Sequence, residues 1–576
     1  LTKPSQISLK AEFANLIPGH YENKYTGGYS YLDDFESTQT GIDLLNPYPW
    51  TLSSVPYNDG ANSLFPEASL TNNIDYGKNR ALLAWYYIDG LFTRKNSSIA
   101  PNHIKNDLDQ LSNHYVREVK TQELFPNKDL SYNENNTLPV LNLAYYPTER
   151  GPYNLDADRI NADGSLAMPD KRWGGIMRKI EQSDFEAANI EYIEFWMMDP
   201  FIYNANGKGG DLYFNLGEIS EDILRDEKKF FENGLPIDGD LSSVEETVWG
   251  RVPKRQSTVY AFDNTQGARK LQDVGFNGLS SADEKQFSTY QDYLSKLQSR
   301  LSGETLAQMM EDPFSPFNDP AGDDYHYFRG SDYDVKEVGI LERYKRYNGV
   351  EGNSTASEDS PEKYDISART IPDVEDINQD NTLNEFEKYY QYKVSLRPKD
   401  LVVGNNYIVD RREVTVNLRN GKEETIHWYQ FKIPVKNYSQ KVGSINDFKT
   451  IRFMRMFMTD FSETTILRFG SFDLVRGEWR NYTQDLSNPK LPPVINASLD
   501  VSTVNIEENS ERTPVNYVLP PGVSRMLDPG QPQLRQQNEQ ALSMKITNLA
   551  PADARAVYKN TYYDLRQYKR LQLFVH

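Results

Sequence analysis

Ile190-Glu191-Tyr192-Ile193-Glu194-Phe195-Trp196-Met197-Met198 decides how the chain is read. Aromatic and β-branched side chains dominate this run, and they suit a pleated, buried surface better than a helix. Ile190, Tyr192 and Glu194 share one face of such a strand, and Glu191, Ile193 and Phe195 share the other. A turn rich in Gly and Asn follows, from Asn204 to Gly210, and then a second strand, Leu212 to Leu216.

The same order returns later. Trp173, Asp184-Phe185, the strand Ile190–Met198, a turn and Leu212–Leu216 make one series. Trp428, Asp447-Phe448, the strand Ile451–Met458, a turn and Thr465–Phe469 make another. Each closes on an acid-aliphatic pair, Glu218-Ile219 and Asp473-Leu474. A series repeated with altered loop lengths is the mark of a duplicated structural unit. The expected fold is therefore mainly β: tandem antiparallel β-sandwich modules, of jelly-roll or galactose-binding-like type, with a helical insertion.

Outward from these series, Arg80 to Ile88 reads as a strand buried on both faces. Asn46-Pro47-Tyr48-Pro49-Trp50 is a connection, because proline withholds a ladder donor. Ser281-Ala282-Asp283-Glu284 is a capping-box pattern, and Phe287, Tyr290, Leu294, Leu297 and Leu301 follow at helical steps, predicting a helix over 281–302. Residues 350–362 read as a mobile loop. The expected division is a lead-in over 1–30, a first module over 31–256, the helical insertion and loop over 257–362, a second module over 363–490, and a linker with the start of a third unit over 491–576, where Thr561 to Tyr568 looks strand-like. Leu1 is not an initiator Met and Val575-His576 falls within a strand-like run, so a piece of a longer chain is expected.

The 576 residues carry 63 Lys+Arg and 83 Asp+Glu, a formal charge of −20, which argues against a phosphate backbone as partner. With no cysteine, thiol catalysis, thiolate metal sites and disulfides are excluded. No run of about 18 apolar residues is present to form a membrane-spanning helix. The 38 Tyr among 12% aromatics suit β surfaces with a wet rim.

One motif has metal-ligand spacing. Counting Asp376 as position 1 of Asp376 to Glu387, Asp376, Asn378 and Asp380 stand at 1, 3 and 5. Thr382 offers a carbonyl at 7, Asn384 stands at 9 and Glu387 at 12. That is the oxygen pattern of an EF-hand loop, so Asp376, Asn378, Asp380, Thr382 and Glu387 are candidate ligands for a structural Ca2+. Asn381 replaces the usual Gly at position 6 and tolerates positive φ nearly as well. Without flanking amphipathic helices, the loop would be a clip and not a sensor. Asp156 to Gly164 has carboxylates at the wrong spacing, with Arg159 among them, and reads as a turn.

No enzyme reading gains support. His20, His103, His114, His326, His427 and His576 make no zinc pair, and there is no GxSxG, GxxxxGK or GxGxxG motif. Asp33, Asp34 and Glu36 as a glycosidase pair are outweighed by a surface role. Trp173, Trp196 and Trp428 could stack on sugars, but core packing is the better reading. No catalytic residue is assigned.

Several long strings resemble the SprA family, called Sov in some species. They are Tyr31 to Glu36, Leu83 to Asp89, Tyr146 to Asn154, Trp173 to Arg178, Asp184 to Trp196, Pro372 to Asn378, Tyr517 to Val523 and Asp564 to Leu571. They span nearly the whole chain, and are weakest in Ser281–Leu301 and 350–362. The family comprises giant outer-membrane translocons of the type IX secretion system, linked to gliding motility. The resemblance implies a very large β-barrel that exports folded cargo, closed outside by a cap. It implies as partners a PorV-like shuttle protein, a periplasmic plug protein, the secreted cargo and the rest of the barrel itself. This chain lacks a run of regular barrel strands of about ten residues. It is expected to be part of the extracellular cap at the outer membrane, with the periplasmic side as the alternative. A carbohydrate-binding or adhesive surface module is the rival, since one fold serves both.

Overall fold

The computed structural model describes residues 40–58, 63–94, 97–130, 136–255, 261–347, 371–482, 484, 486, 497–512, 516–522, 524–525, 527, 536–551, 553–560 and 566. The lead-in, the acids at 33–36, the 350–362 loop and most of the strand-like run from Thr561 lie outside the described residues.

Among the described residues, thirteen strands build the two large antiparallel sheets. They are β1 Thr40–Asp43, β2 Thr51–Leu52, β3 Ala81–Tyr86, β4 Leu141–Arg150, β5 Trp173–Lys179, β6 Ile190–Met198 and β7 Gly210–Glu218. Then come β8 Lys388–Leu396, β9 Ile408–Asn417, β10 Glu423–Pro434, β11 Gln440–Val442, β12 Phe453–Thr459 and β13 Thr465–Arg476. The first sheet runs β9-β10-β6-β13-β4-β3, with β1 also on β13; the second runs β11-β8-β7-β12-β5-β2. Mainly antiparallel β architecture is thus as expected.

The repeat is present, but its copies are interleaved and do not form separate sandwiches one after the other. The first copy is β4-β5-β6-β7 and the second β8-β10-β12-β13, with equivalents in that order. Successive strands of a copy alternate between the sheets. Replacing each strand by its equivalent turns β10-β6-β13-β4 of one sheet into β5-β12-β7-β8 of the other. The register agrees: Trp173 of β5 lies opposite Thr459, the last residue of β12, and Trp428 of β10 lies opposite Met198, the last residue of β6. Sequence order cannot show this exchange, because either copy offers the other the same apolar edges.

The core lies between the sheets. Ile193, Phe195 and Met197 of β6 meet Phe214 and Leu216 of β7 and Met454, Met456 and Met458 of β12. Phe195 sits 5.7 Å from Phe214 and stacks on Phe431 at 4.7 Å, ring geometries that add to the burial itself. The outer faces are covered as well. Residues 219–330 pack Tyr290, Tyr293 and Leu297 against Trp173, Tyr213 and Phe457. Phe92, Ile104, Phe328 and Tyr344 cover Leu82, Ala84 and Tyr86 of β3. Double coverage explains why Ala81 to Tyr86 is apolar without alternation, as its sequence predicts. Trp173, Trp196 and Trp428 are all buried in these packed layers.

The expected helix over 281–302 is split. A turn at Ser281–Glu284 precedes the helix Ser288–Arg300. Ser280, one residue before the expected cap, accepts the Asp283 amide at 3.3 Å, while Ser281 donates to Asp324. Phe287 is in extended conformation, which breaks the run there.

Candidate functional site

The loop Asp376–Glu387 leads directly into β8, and its first half has the shape its spacing predicts. The Asp376 carboxylate accepts the amides of Asp380 and Asn381, each at 2.9 Å. Asn378 Oδ1 also accepts from Asp380, and Asp380 accepts from Thr382. Asn381 takes φ +66°, the conformation for which Gly is usual at position 6. Asp376, Asn378, Asp380 and Thr382 are thus gathered in one tight turn.

Glu387 is oriented otherwise. Both its oxygens bind Arg455, at 3.0 and 2.8 Å, in a pair whose side chains are buried. A bidentate carboxylate at position 12 is what completes an EF-hand shell, and here that fork is taken by a guanidinium. The charge on Asp376 is met too: Lys229 Nζ lies 2.9 Å from its Oδ2. Arg452 lies 4.0 Å from Asp380 and equally close to Glu218. The donor set therefore fits a cation poorly as arranged.

A second group of carboxylates, which the sequence reading missed, ties the loop to residues 219–232. Glu221 accepts the amides of Ile377, Asn378 and Asn384. Glu375 accepts those of Ile223 and Phe230, at 2.7 and 2.9 Å. Glu232 accepts those of Asp373 and Val274. Each buried acid serves backbone donors, most of them on the opposite segment, so the two segments clasp each other. Burial pushes the Glu221 carboxyl up to about 7 and those of Glu232 and Glu375 well above the ordinary range. No local motif marks these acids, because the partners lie some 150 positions apart in sequence and only the fold joins them.

A third group, also unmarked in sequence, is Glu284, Asp319 and Asp323, with one oxygen of each within 4.8 Å of the others. Glu284 accepts from the Asn277 side chain and the Ala321 amide, and Asp319 accepts the Gly322 amide at 2.7 Å. The look-alike Asp156 loop is the expected turn: Asp156 pairs with Arg159 at 3.0 Å and Arg172 at 2.8 Å.

Among the described histidines, His114 donates to Glu424 through Nε2 and accepts from Arg117 at Nδ1. His326 pairs with Asp332 and His427 with Glu413. These contacts hold loops and strand pairs together.

Among the described residues, no helix is long and apolar enough to cross a membrane. No curated protein matches the chain. Residues 292–576 match the model of SprA_N, described as a motility related/secretion protein. That stretch contains the whole second copy of the repeat, whose strands share both sheets with the first copy. One interlocked body thus carries the match, and the chain belongs to the SprA family of motility-related secretion proteins.

Proposed function

We propose that this chain is a structural, non-catalytic portion of a giant outer-membrane β-barrel channel that exports folded proteins by type IX secretion, and that it forms part of the extracellular cap. The family match over residues 292–576 carries this reading. The architecture supports it. A sandwich covered on both outer faces and locked by exchanged strands is a rigid wall element. The buried acids Glu221, Glu232, Glu375 and Glu387 are engaged by backbone amides and by Arg455. The net charge of −20 keeps such a surface dispersed beside other anionic polymers. Its partners in this reading are the rest of the barrel, a PorV-like shuttle protein, a plug protein and the cargo.

Location is tested by labelling. The chain has no cysteine, so a single Ser444→Cys at an exposed turn gives one reporter. An impermeant maleimide should label it on intact cells; protection until the outer membrane is opened would put the domain on the periplasmic side. Cells whose sandwich is destabilised should lose cargo export and gliding together, and normal export from such cells would overturn the channel role.

The carbohydrate-binding reading has one observation in its favour. Tyr438 is 40% exposed and rests against Tyr390 with ring centroids 4.6 Å apart. Glycan-array binding that is lost in Tyr438→Ala would favour it. The burial of the three tryptophans favours the structural role.

A further inference from the structure

We infer that the Asp376–Glu387 loop is a calcium-type turn that supplies its own cations, with Lys229 taking the charge role of the metal. Each carboxylate at a ligand position has a basic partner. Lys229 lies on Asp376 at 2.9 Å, with the two side chains 9% and 0% exposed. Arg455 holds Glu387 at 2.8 Å, with 0% and 4% exposed. Arg452 stands 4.0 Å from Asp380 at the surface. Arg452 is shared with Glu218, so Asp376 and Glu387 are the two ligand acids held by buried bases of their own.

The lone pairs are committed as well. Asp376 Oδ2 accepts both the Lys229 ammonium and the Asn381 amide, and its Oδ1 accepts the Asp380 amide. Calcium needs six to eight oxygens at about 2.4 Å, including the bidentate acid that Arg455 has taken. Lys229 sits beside Phe230, whose amide donates to the Glu375 carboxylate and whose carbonyl accepts the Glu375 amide, so the ammonium also fastens the loop to the segment that follows the first repeat copy. The inference concerns the loop alone and is independent of the channel reading.

Calcium chloride at ~5 mM and a chelator, each added to the whole chain, separate the alternatives. The wild type should give no calcium heat in titration calorimetry, and its melting temperature should be the same in both conditions. Calcium heat together with a melting temperature raised by more than ~2 °C would overturn the inference. Lys229→Met should lower the melting temperature by ~2–4 °C in calcium and in chelator alike, because the Asp376 carboxylate loses its cation while Arg455 still holds Glu387. Lys229→Arg should stay close to wild type. A Lys229→Met protein that melts like the wild type would also overturn it. A loss that calcium repairs would show that the loop binds the metal without Glu387 and would overturn it. If Lys229→Met fails to fold, the wild-type titration decides alone.

Discussion

The amide of Phe185 donates to the carbonyl of Phe448 at 2.8 Å, so the two Asp-Phe pairs of the repeat touch each other. Around them the Ile180 amide reaches the Arg452 carbonyl at 2.7 Å, and the Ile451 amide reaches that of Ser183 at 3.0 Å. The Phe448 amide donates to Glu186, and its ring stacks on Tyr390 at 4.1 Å. Equivalent segments meeting in this way mark the local axis that relates the copies. A motif repeated in sequence is here a contact between repeats.

Interleaving makes the copies mutually dependent. β6 lies between β10 and β13, and β7 between β8 and β12; both neighbours of each come from the second copy. Likewise β12 lies between β7 and β5 of the first copy, and β13 between β6 and β4, with β1 pairing along its last residues. A fragment of residues 40–347 or of 371–482 should show no cooperative thermal transition alone. The two co-expressed should associate and melt as one unit. Independent cooperative melting of either fragment would refute the interlock.

What was legible in the sequence follows from what is local. The alternation of β6, the apolar run of β3 and the paired tryptophans each lie within one strand and could be read directly. Pairing between copies could not, since edges of near-identical character accept either partner and only three-dimensional closure chooses. The loop shows both limits at once. Asp376, Asn378 and Asp380 are neighbours in sequence, and their turn was foreseeable. The turning of Glu387 toward Arg455, and the arrival of Lys229 from 147 positions away, depend on the fold. The helix over 281–302 was misjudged at Phe287 because periodicity does not register a break that keeps the same buried face.

Trp173-Gly174-Gly175 has a packing reason that can be tested. A Cβ on Gly174 would lie 2.9 Å from Leu83 Cβ and 3.1 Å from the Tyr145 ring, both in the opposite sheet. One on Gly175 would lie 2.7 Å from Phe457 Cβ. Gly174 lets the two sheets close here, and Gly175 leaves room for Phe457 of the paired strand β12 in its own sheet. Gly174→Val should lower stability by ~1–3 kcal/mol through overpacking, with Gly174→Ala milder. Urea unfolding of both variants checks the order, and an unchanged midpoint for the valine would show that the sheets can part without loss.

The Arg455–Glu387 pair should behave as a buried fork. Arg455→Met leaves an uncompensated carboxylate under β8 and should destabilise by ~3–5 kcal/mol. Arg455→Met combined with Glu387→Leu removes both charges and should recover much of that loss, since two apolar side chains leave no stranded ion. A double variant as weak as Arg455→Met alone would mean that the fork's hydrogen bonds to the loop, and not its charge balance, hold the site.

The buried acids give stability a defined dependence on pH. Burial, reinforced by the Asp319 charge, raises Glu284 from 4.5 to about 8. Burial raises Glu221 to about 7, and Asp473, beside Asp43 and Glu194, likewise to about 7. The folded state thus favours the neutral carboxyl, whereas the unfolded chain ionises near 4. Their stabilising contribution is complete below the unfolded values and is lost as pH rises through the folded ones. His114 acts at the other end: desolvation and Arg117 hold it below its ordinary 6.5, so its contribution is present above that value and is lost as pH falls. The urea midpoint should therefore decline from about pH 5 to about pH 8. Glu284→Gln, which fixes a neutral side chain at Asn277 and Ala321, should flatten the upper part of that decline. A midpoint that rises over the same range, or a Glu284→Gln profile parallel to wild type, would show that these acids are ionised in the fold and are balanced by charges elsewhere.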